Sequence, residues 1–479
     1  MKKLLISILV LSSALIGCST DLDINRDPDL LDPSKAPLSA QLPSGIIGII
    51  GSEGASYAII GGMWSQYWTQ SNAANQYKDI DNYSVSTSDY NFAWNGMFDA
   101  LGDIRNVKRR ALEEGNWKYF LIATTLEVQA SQVLTDFYGD IPYKEANNSS
   151  ILEPKFNTSQ EVYGFMIEDL NLALSKDLST SKGSSPGVDD FIYGGNMTNW
   201  TKFANTLKLK IFMRQATTTK SSVASAGIND LLSKNTAFLD TDASMTQFSD
   251  AINQSNPLYE FNVRKLNVAT NLRMSTTLAS YLDANADTRK SKYFGSGNSL
   301  NQGDYNSTAG AGSIAVVTLN ATTPVFLMTK EESLFLQAEA LERYASGVGA
   351  KAKYDAAINA NFTRHGLTGT SFVSGSYAYP ITGTLEQKIE AIITQKWIAS
   401  FPGNGFEAFF EKNRTGYPKT STVAQNSTSY VAGQFVYAKN GTTGGLFPKR
   451  LAYPLSERNA NPNAPTLVPI TTPIWWNKL

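Results

Sequence analysis

Asp136 and Asp140 stand four residues apart, and a carboxylate pair is the machinery of glycoside hydrolysis, one as acid and the other as nucleophile or base. On a continuous helix that spacing brings Cβ atoms to about 5–6 Å. Gly139 falls between them and Pro142 follows, so the helix is expected to stop there and the pair to serve helix termination and loop hydrogen bonding. A surface glycoside hydrolase built on carboxylates is therefore the alternative function, not the leading one. Glu407, Glu411 and Arg414 share one helical face at offsets 0, 4 and 7, as a structural charge cluster would. His365 is the only imidazole, so any triad must use it. It sits at a predicted helix end before Gly366, where the dipole favours it, and no nucleophile is recognisable beside it. Gly403-Asn404-Gly405 is followed by Phe406 and not by Lys-Ser/Thr, so it reads as a tight turn joining two helices rather than a phosphate loop. One Cys and one His exclude disulfide frameworks, thiolate zinc sites and multi-His metal centres. No loop has the regular Asp/Asn spacing of a calcium site. The sequence thus assigns no catalytic residue, no metal and no cofactor.

What remains is ring and amide chemistry. Sugar rings and peptide side chains dock on partly exposed aromatic faces, with Asn, Asp and Gln supplying directed hydrogen bonds. Met63 to Tyr90 is dense in both residue types. Trp64, Tyr67 and Trp68 fall at offsets 0, 3 and 4, a helical stripe expected in the core. Tyr77, Asn82 and Tyr83 lie in a polar loop and are the ligand candidates, joined by Tyr305 in the Gly/Ser/Asn-rich loop 295–313. Trp94, Trp117, Trp200 and Trp397 fall on predicted helices and are expected to be core.

The elements that must position these residues are mostly helical. Residues 95–114 and 117–138 read as one pair; in the second, Ala123, Leu126, Ala130, Val133, Leu134 and Phe137 form an apolar stripe at helical spacing. A second pair covers 159–178 and 198–217. Thr329 and Glu332 have the spacing of a capping box and open a helix that is followed by 351–365, then by 385–400 and 405–413. These are four helical hairpins of a tetratricopeptide-like array, in two blocks at about 95–217 and 328–413. Loop-rich insertions, 221–327 and 418–448, lie between and after the blocks. The second insertion alternates weakly and contains Asn440-Gly441, a hairpin turn signal.

Composition narrows the function. The chain has 479 residues, 41 Lys+Arg against 42 Asp+Glu, and 42% hydrophobic residues. The charge balance argues against nucleic-acid binding, and the apolar fraction suffices for a large core. Lys2 and Lys3 precede an apolar run of thirteen residues, Leu4 to Ile16, too short for a span of about 20. With Leu15-Ile16-Gly17-Cys18 at its end, residues 1–17 read as a lipoprotein signal peptide cut before an acylated Cys18. Losing Lys2 and Lys3 takes the net charge from −1 to −3. Residues 18–44 are expected to be a tether and 45–479 a single domain.

Several segments, in order along the chain, resemble the SusD/RagB family. They are Leu134-Thr135-Asp136-Phe137-Tyr138-Gly139-Asp140-Ile141-Pro142-Tyr143, then Asp190-Phe191-Ile192-Tyr193-Gly194-Gly195 with Trp200, Lys202, Phe203, Ala204 and Asn205. Gln337-Ala338-Glu339-Ala340, Lys396 to Phe409 with Arg414-Thr415-Gly416-Tyr417-Pro418, Pro448 to Pro454 and Trp475-Trp476 follow. The resemblance is closest to the SusD-like branch. It implies a mostly α, tetratricopeptide-like scaffold with a loop-rich ligand and partner face and minor β-hairpins. It also implies a non-catalytic lipoprotein of the outer membrane that captures glycan, or peptide, and lids a SusC-like TonB-dependent transporter. The region around residues 77–83 would contribute to the loop face near the cargo.

Overall fold

The computed structural model describes residues 36–72, 74–266, 270–307 and 313–478. The signal segment, Cys18 and the tether as far as residue 35 lie outside the described residues. The end of the expected tether is a helix instead. Helix α1, Leu38–Trp64, starts within it and buries Leu38 and Leu42. This helix carries a π-helical segment at Ser52–Tyr57. Among the described residues it is the one helix long and apolar enough to cross a membrane, yet its apolar surface is spent inside the domain.

The expected hairpins form. Helices α2 (Asn91–Glu114) and α3 (Trp117–Tyr138) pair across Gly115-Asn116, where the Asn116 side chain accepts from the Tyr119 amide. Helices α4 (Ser159–Leu174) and α5 (Met197–Arg214) stack on them, and α6 (Ser221–Ser233) packs on α5. After α7 (Thr276–Ala284) the second block comprises α8 (Lys330–Tyr344), α9 (Ala350–Arg364), α10 (Leu385–Ala399) and α11 (Gly405–Thr415). Reciprocal capping boxes open α4 and α10. At α8 only half of the box forms. Thr329 accepts from the Glu332 amide at 3.1 Å, but the Glu332 carboxylate turns inward toward Lys210 and Lys396.

Helix α1 joins the two blocks, its first half lying on α2 and its second half on α11. The second contact is backbone against backbone. A Cβ on Gly61 would stand 2.1 Å from the Phe406 nitrogen, and one on Gly405 would stand 2.6 Å from the Gly62 nitrogen. Only glycine permits that approach. The Trp64, Tyr67 and Trp68 rings are all buried, but not as a helical stripe: α1 ends at Trp64, Gln66 is left-handed, and Trp68–Thr69 is a strand.

The short strands pair over long range. Trp68–Thr69 (β1) runs antiparallel to Arg273–Met274 (β3), and Ala243–Met245 (β2) to Val325–Met328 (β4). Asn440-Gly441 does turn, with the Gly441 amide on the Ala438 carbonyl at 2.8 Å, but the flanking segments do not pair with each other. The Lys439 amide instead bonds the Gln302 carbonyl, and the Thr442 amide bonds the Asn82 carbonyl. The second insertion is thereby stitched to the first and to the loop at 77–83.

Inside the array a charged seam replaces apolar packing. The Arg214 guanidinium meets Asp136 at 3.1 Å, Glu407 at 2.8 Å and Glu411 at 2.8 Å. Lys210 adds a bond to Glu407 at 2.8 Å, and Arg414 bridges Glu411 and Glu339. This is the expected Glu407–Glu411–Arg414 cluster, fully buried. Burial pushes the Glu407 carboxyl up, but Lys210 and Arg214 outweigh it and hold the group at about 2.

Candidate functional site

Two features built around one short helical turn, Lys78–Asp81, make the candidate binding face. Beneath the turn, buried Asp81 holds three segments together. Its carboxylate accepts from Thr69 Oγ1 at 2.6 Å, from the Gln70 amide at 3.0 Å and from Gln302 Nε2 at 2.7 Å. Burial raises its pKa to about 6 against the pull of these donors. Asp81 therefore ties the turn to β1 and to the loop bearing Tyr305.

On one side lies an apolar cleft of about 200 Å3 walled by Tyr77, Tyr90, Phe92 and Phe261, with Gln76 at its rim. The Tyr77 ring forms its buried wall and is anchored by its hydroxyl, which donates to Asn262 Oδ1 at 2.7 Å. Tyr90 sits at φ +56° immediately before α2, a conformation a bulky residue rarely adopts without strain. Phe92 is 53% exposed, and its ring centroid lies 5.8 Å from that of Tyr90 at an angle of 55°. The same turn also meets half-buried Tyr305, which has Lys78 Nζ 5.0 Å from its ring centroid and whose hydroxyl accepts from Asn82 Nδ2 at 3.4 Å.

The polar loop expected at 77–83 is thus largely interior. Tyr83 is 3% exposed, turned inward by a left-handed backbone at φ +65°. Its ring packs against Tyr437 and Phe447 with centroids at 5.6 Å and 6.3 Å. Asn82 is buried too, and its Oδ1 accepts from the Ser84 amide and hydroxyl. The reason is the second insertion, whose Tyr437, Thr442 and Phe447 cover Asn82 and Tyr83. Tyr77 keeps a wall of the cleft, and Tyr305 keeps an accessible edge. Tyr90 closes the aromatic stretch already noted in the sequence, but Phe92 and Phe261 carried no sequence signal, since Phe261 arrives from the other insertion.

The carboxylate pair does not assemble. Asp136 is fully buried, accepting from Tyr163, Gln132 and Arg214, while Asp140 accepts from the Ser159 amide at 2.8 Å. The two serve different structural tasks on either side of Gly139, whose φ is +87°. His365 is not held as a cation at its helix end. Burial, then Arg289, Arg364 and Lys292, push its pKa down to about 4, and it packs edge-on to Tyr293 at 5.0 Å. Among the described residues no Ser or Cys lines the cleft it faces. Among the described residues no group of three or more His, Cys, Asp or Glu is placed to hold a metal. Trp94, Trp200 and Trp397 are core, while Trp117 is only half-buried.

The comparisons with known proteins agree with this architecture. No curated protein matches the sequence. A SusD homologue from Bacteroides uniformis superimposes with a TM-score of 0.74 at 22% identity, covering 92% of this chain and 99% of that one. A chitin-binding SusD homologue from Flavobacterium johnsoniae gives a TM-score of 0.74 at 20% identity, covering 91% and 98%. A homologue from Bacteroides thetaiotaomicron gives 0.70 at 22% identity, covering 92% and 99%. The SusD-like family described as "Starch-binding associating with outer membrane" matches residues 34–454, from just before α1 to the segment beyond α11, and the chain belongs to that family.

Proposed function

We propose that this protein is a non-catalytic, cell-surface lipoprotein, acylated at Cys18 and facing outward, that captures oligosaccharide and delivers it to a SusC-like TonB-dependent transporter. The observation that carries the reading is the aromatic cleft of Tyr77, Tyr90, Phe92 and Phe261 beside the Lys78–Tyr305–Asn82 edge. Apolar ring faces suit the C–H face of a pyranose, and the amide and hydroxyl groups at the rim suit its hydroxyls. The match to a starch-binding family and the fold shared with a chitin-binding homologue support a neutral glycan.

Oligopeptide is the second reading, and the 55° tilt between the Tyr90 and Phe92 rings favours it. The tilted pair forms a corner, which would seat an apolar side chain as readily as one sugar ring.

Isothermal titration calorimetry with maltohexaose, chitohexaose and an apolar hexapeptide separates these readings. Saturable binding of an oligosaccharide, weakened by Phe92→Ala and recovered uncleaved afterwards, is the expected result. Cleaved product would restore the hydrolase. Binding of the peptide alone would move the cargo to the second reading. Co-purification of a large barrel protein with the tagged chain from native outer membranes tests the transporter partnership.

A further inference from the structure

Helix α11 ends beside a cleft of about 250 Å3 that the glycan reading does not use. Phe409, Phe435 and Phe447 wall it, and Lys412, Lys449 and Lys478 line it too, yet among the described residues no carboxylate does. Lys412 uses its donors on the Gly416 carbonyl at 2.9 Å, on Thr420 Oγ1 at 3.0 Å and on the Pro418 carbonyl. Lys449 gives one bond, to Asn413 Oδ1 at 3.0 Å, and Lys478 one, to the Thr415 carbonyl at 3.2 Å. An ammonium carries three N–H groups, so both have donors to spare among the described residues. The same Asn413 is 4% exposed, and its Nδ2 is a buried donor with no partner among the described residues.

A helix C-terminus accounts for some of this, because its carbonyls attract cations. It accounts for Lys412 and for the Lys478 bond to Thr415. It does not account for Lys449, which arrives from the segment after the second insertion, or for a buried amide donor left empty. Burial first, then repulsion from Lys449 and Lys478, pushes the Lys412 pKa down to about 7. The cleft concentrates positive charge and hydrogen-bond donors with no carboxylate among the described residues to receive them.

We propose that this cleft binds a doubly charged tetrahedral oxyanion, a sulfate or phosphate group, held by the Lys449 and Lys478 ammoniums and the Asn413 amide. Lys412 supplies charge from behind. A divalent group answers three clustered cations better than a carboxylate does. The volume and the aromatic walls leave room for a sugar that carries the group as an ester. The ion and the ester present the same oxygens, and the experiment separates them.

The full-length protein is titrated with sodium sulfate, against sodium chloride at equal ionic strength, by calorimetry near pH 8 in two buffers of different ionisation enthalpy. Saturable binding of sulfate but not chloride is expected, with proton uptake as the anion restores the charge of Lys412. Lys449→Met and the exposed-site Lys478→Met should each weaken binding about tenfold or more. Asn413→Asp, which sets a carboxylate in the cleft and still accepts from Lys449, should abolish binding and keep the melting temperature. N-acetylglucosamine 6-sulfate binding much more tightly than sulfate would show the group arriving on a sugar, and equal binding would show a free ion. If neither probe binds saturably, or if binding survives all three substitutions, the lysines serve only the helix end and the proposal is overturned.

Discussion

The Trp397 indole donates to the Ser65 carbonyl at 2.8 Å, and the Tyr67 hydroxyl donates back to the Trp397 carbonyl. The exchange fastens α10 to the residues just beyond α1, across 332 positions of sequence. Phe435 and Tyr281 close on the same indole with centroids at 5.7 Å and 6.1 Å. One side chain thereby serves the N-terminal helix, the second helical block and both insertions.

Trp397→Ala should therefore be among the most damaging single changes. Truncating a buried aromatic costs about 3–5 kcal/mol. Trp397→Phe should cost less, since it keeps most of the packing and loses the bond to Ser65. Denaturant melts of the three proteins check the order, and a wild-type melt for Trp397→Ala would refute the assignment.

Arg214→Met removes the one cation that touches Asp136, Glu407 and Glu411 together. Breaking a buried ion pair from one side costs about 3–5 kcal/mol, because the remaining charges stay buried without a partner. The loss should be partly relieved at low pH, where Asp136, already raised to about 6 by burial, takes up a proton. Melts of this variant near pH 5 and near pH 8 would show a smaller deficit at the lower value.

Glu53, on the π-helical segment of α1, is fully buried and accepts from Gln129 Nε2 at 3.2 Å on each oxygen. Burial raises its pKa from 4.5 to about 8. A carboxyl raised on folding contributes stability that is full below its unfolded value and is lost as pH climbs through the folded one. Glu53→Gln keeps an acceptor for Gln129 and cannot ionise. Relative to wild type, the variant should gain stability steadily between about pH 5 and about pH 8. A constant difference across that window would show that Glu53 does not titrate there.

Tyr83→Ala and Phe92→Ala should separate stability from binding. Tyr83 is packed between Tyr437 and Phe447, so its loss should lower the melting temperature clearly. Phe92 is 53% exposed on the cleft, so its loss should stay within about 0.5 kcal/mol and weaken glycan binding. Thermal melts beside calorimetry read both effects.

Cys18→Ala should release the protein from the membrane fraction without altering its melt, since the chain has no other thiol to acylate. Fractionation of cells expressing each form checks this. Retention in outer membranes lacking the transporter would refute the acyl anchor.

Helix boundaries were legible where a cap or a stop acts locally. Gly139 ahead of Pro142 and Thr329 ahead of Glu332 mark ends that depend on neighbours within a few residues, and the structure keeps the stop and the Thr329 half of the cap. The apolar stripe of α3 and the shared face of Glu407, Glu411 and Arg414 were readable for the same reason, because helical periodicity is written in adjacent turns. Burial of the loop at 77–83 was not legible. Polar composition suggested exposure, but the cover comes from residues 437–447, and nothing local to Tyr83 encodes what lies over it. The cleft followed the same logic, since Phe261 and Tyr90 meet only after the first insertion folds back on the start of α2. Local sequence determined where each helix starts, stops and turns its apolar face. Which faces remained open was decided by contacts between segments hundreds of residues apart, because solvent exposure belongs to the packed molecule and not to any stretch of it.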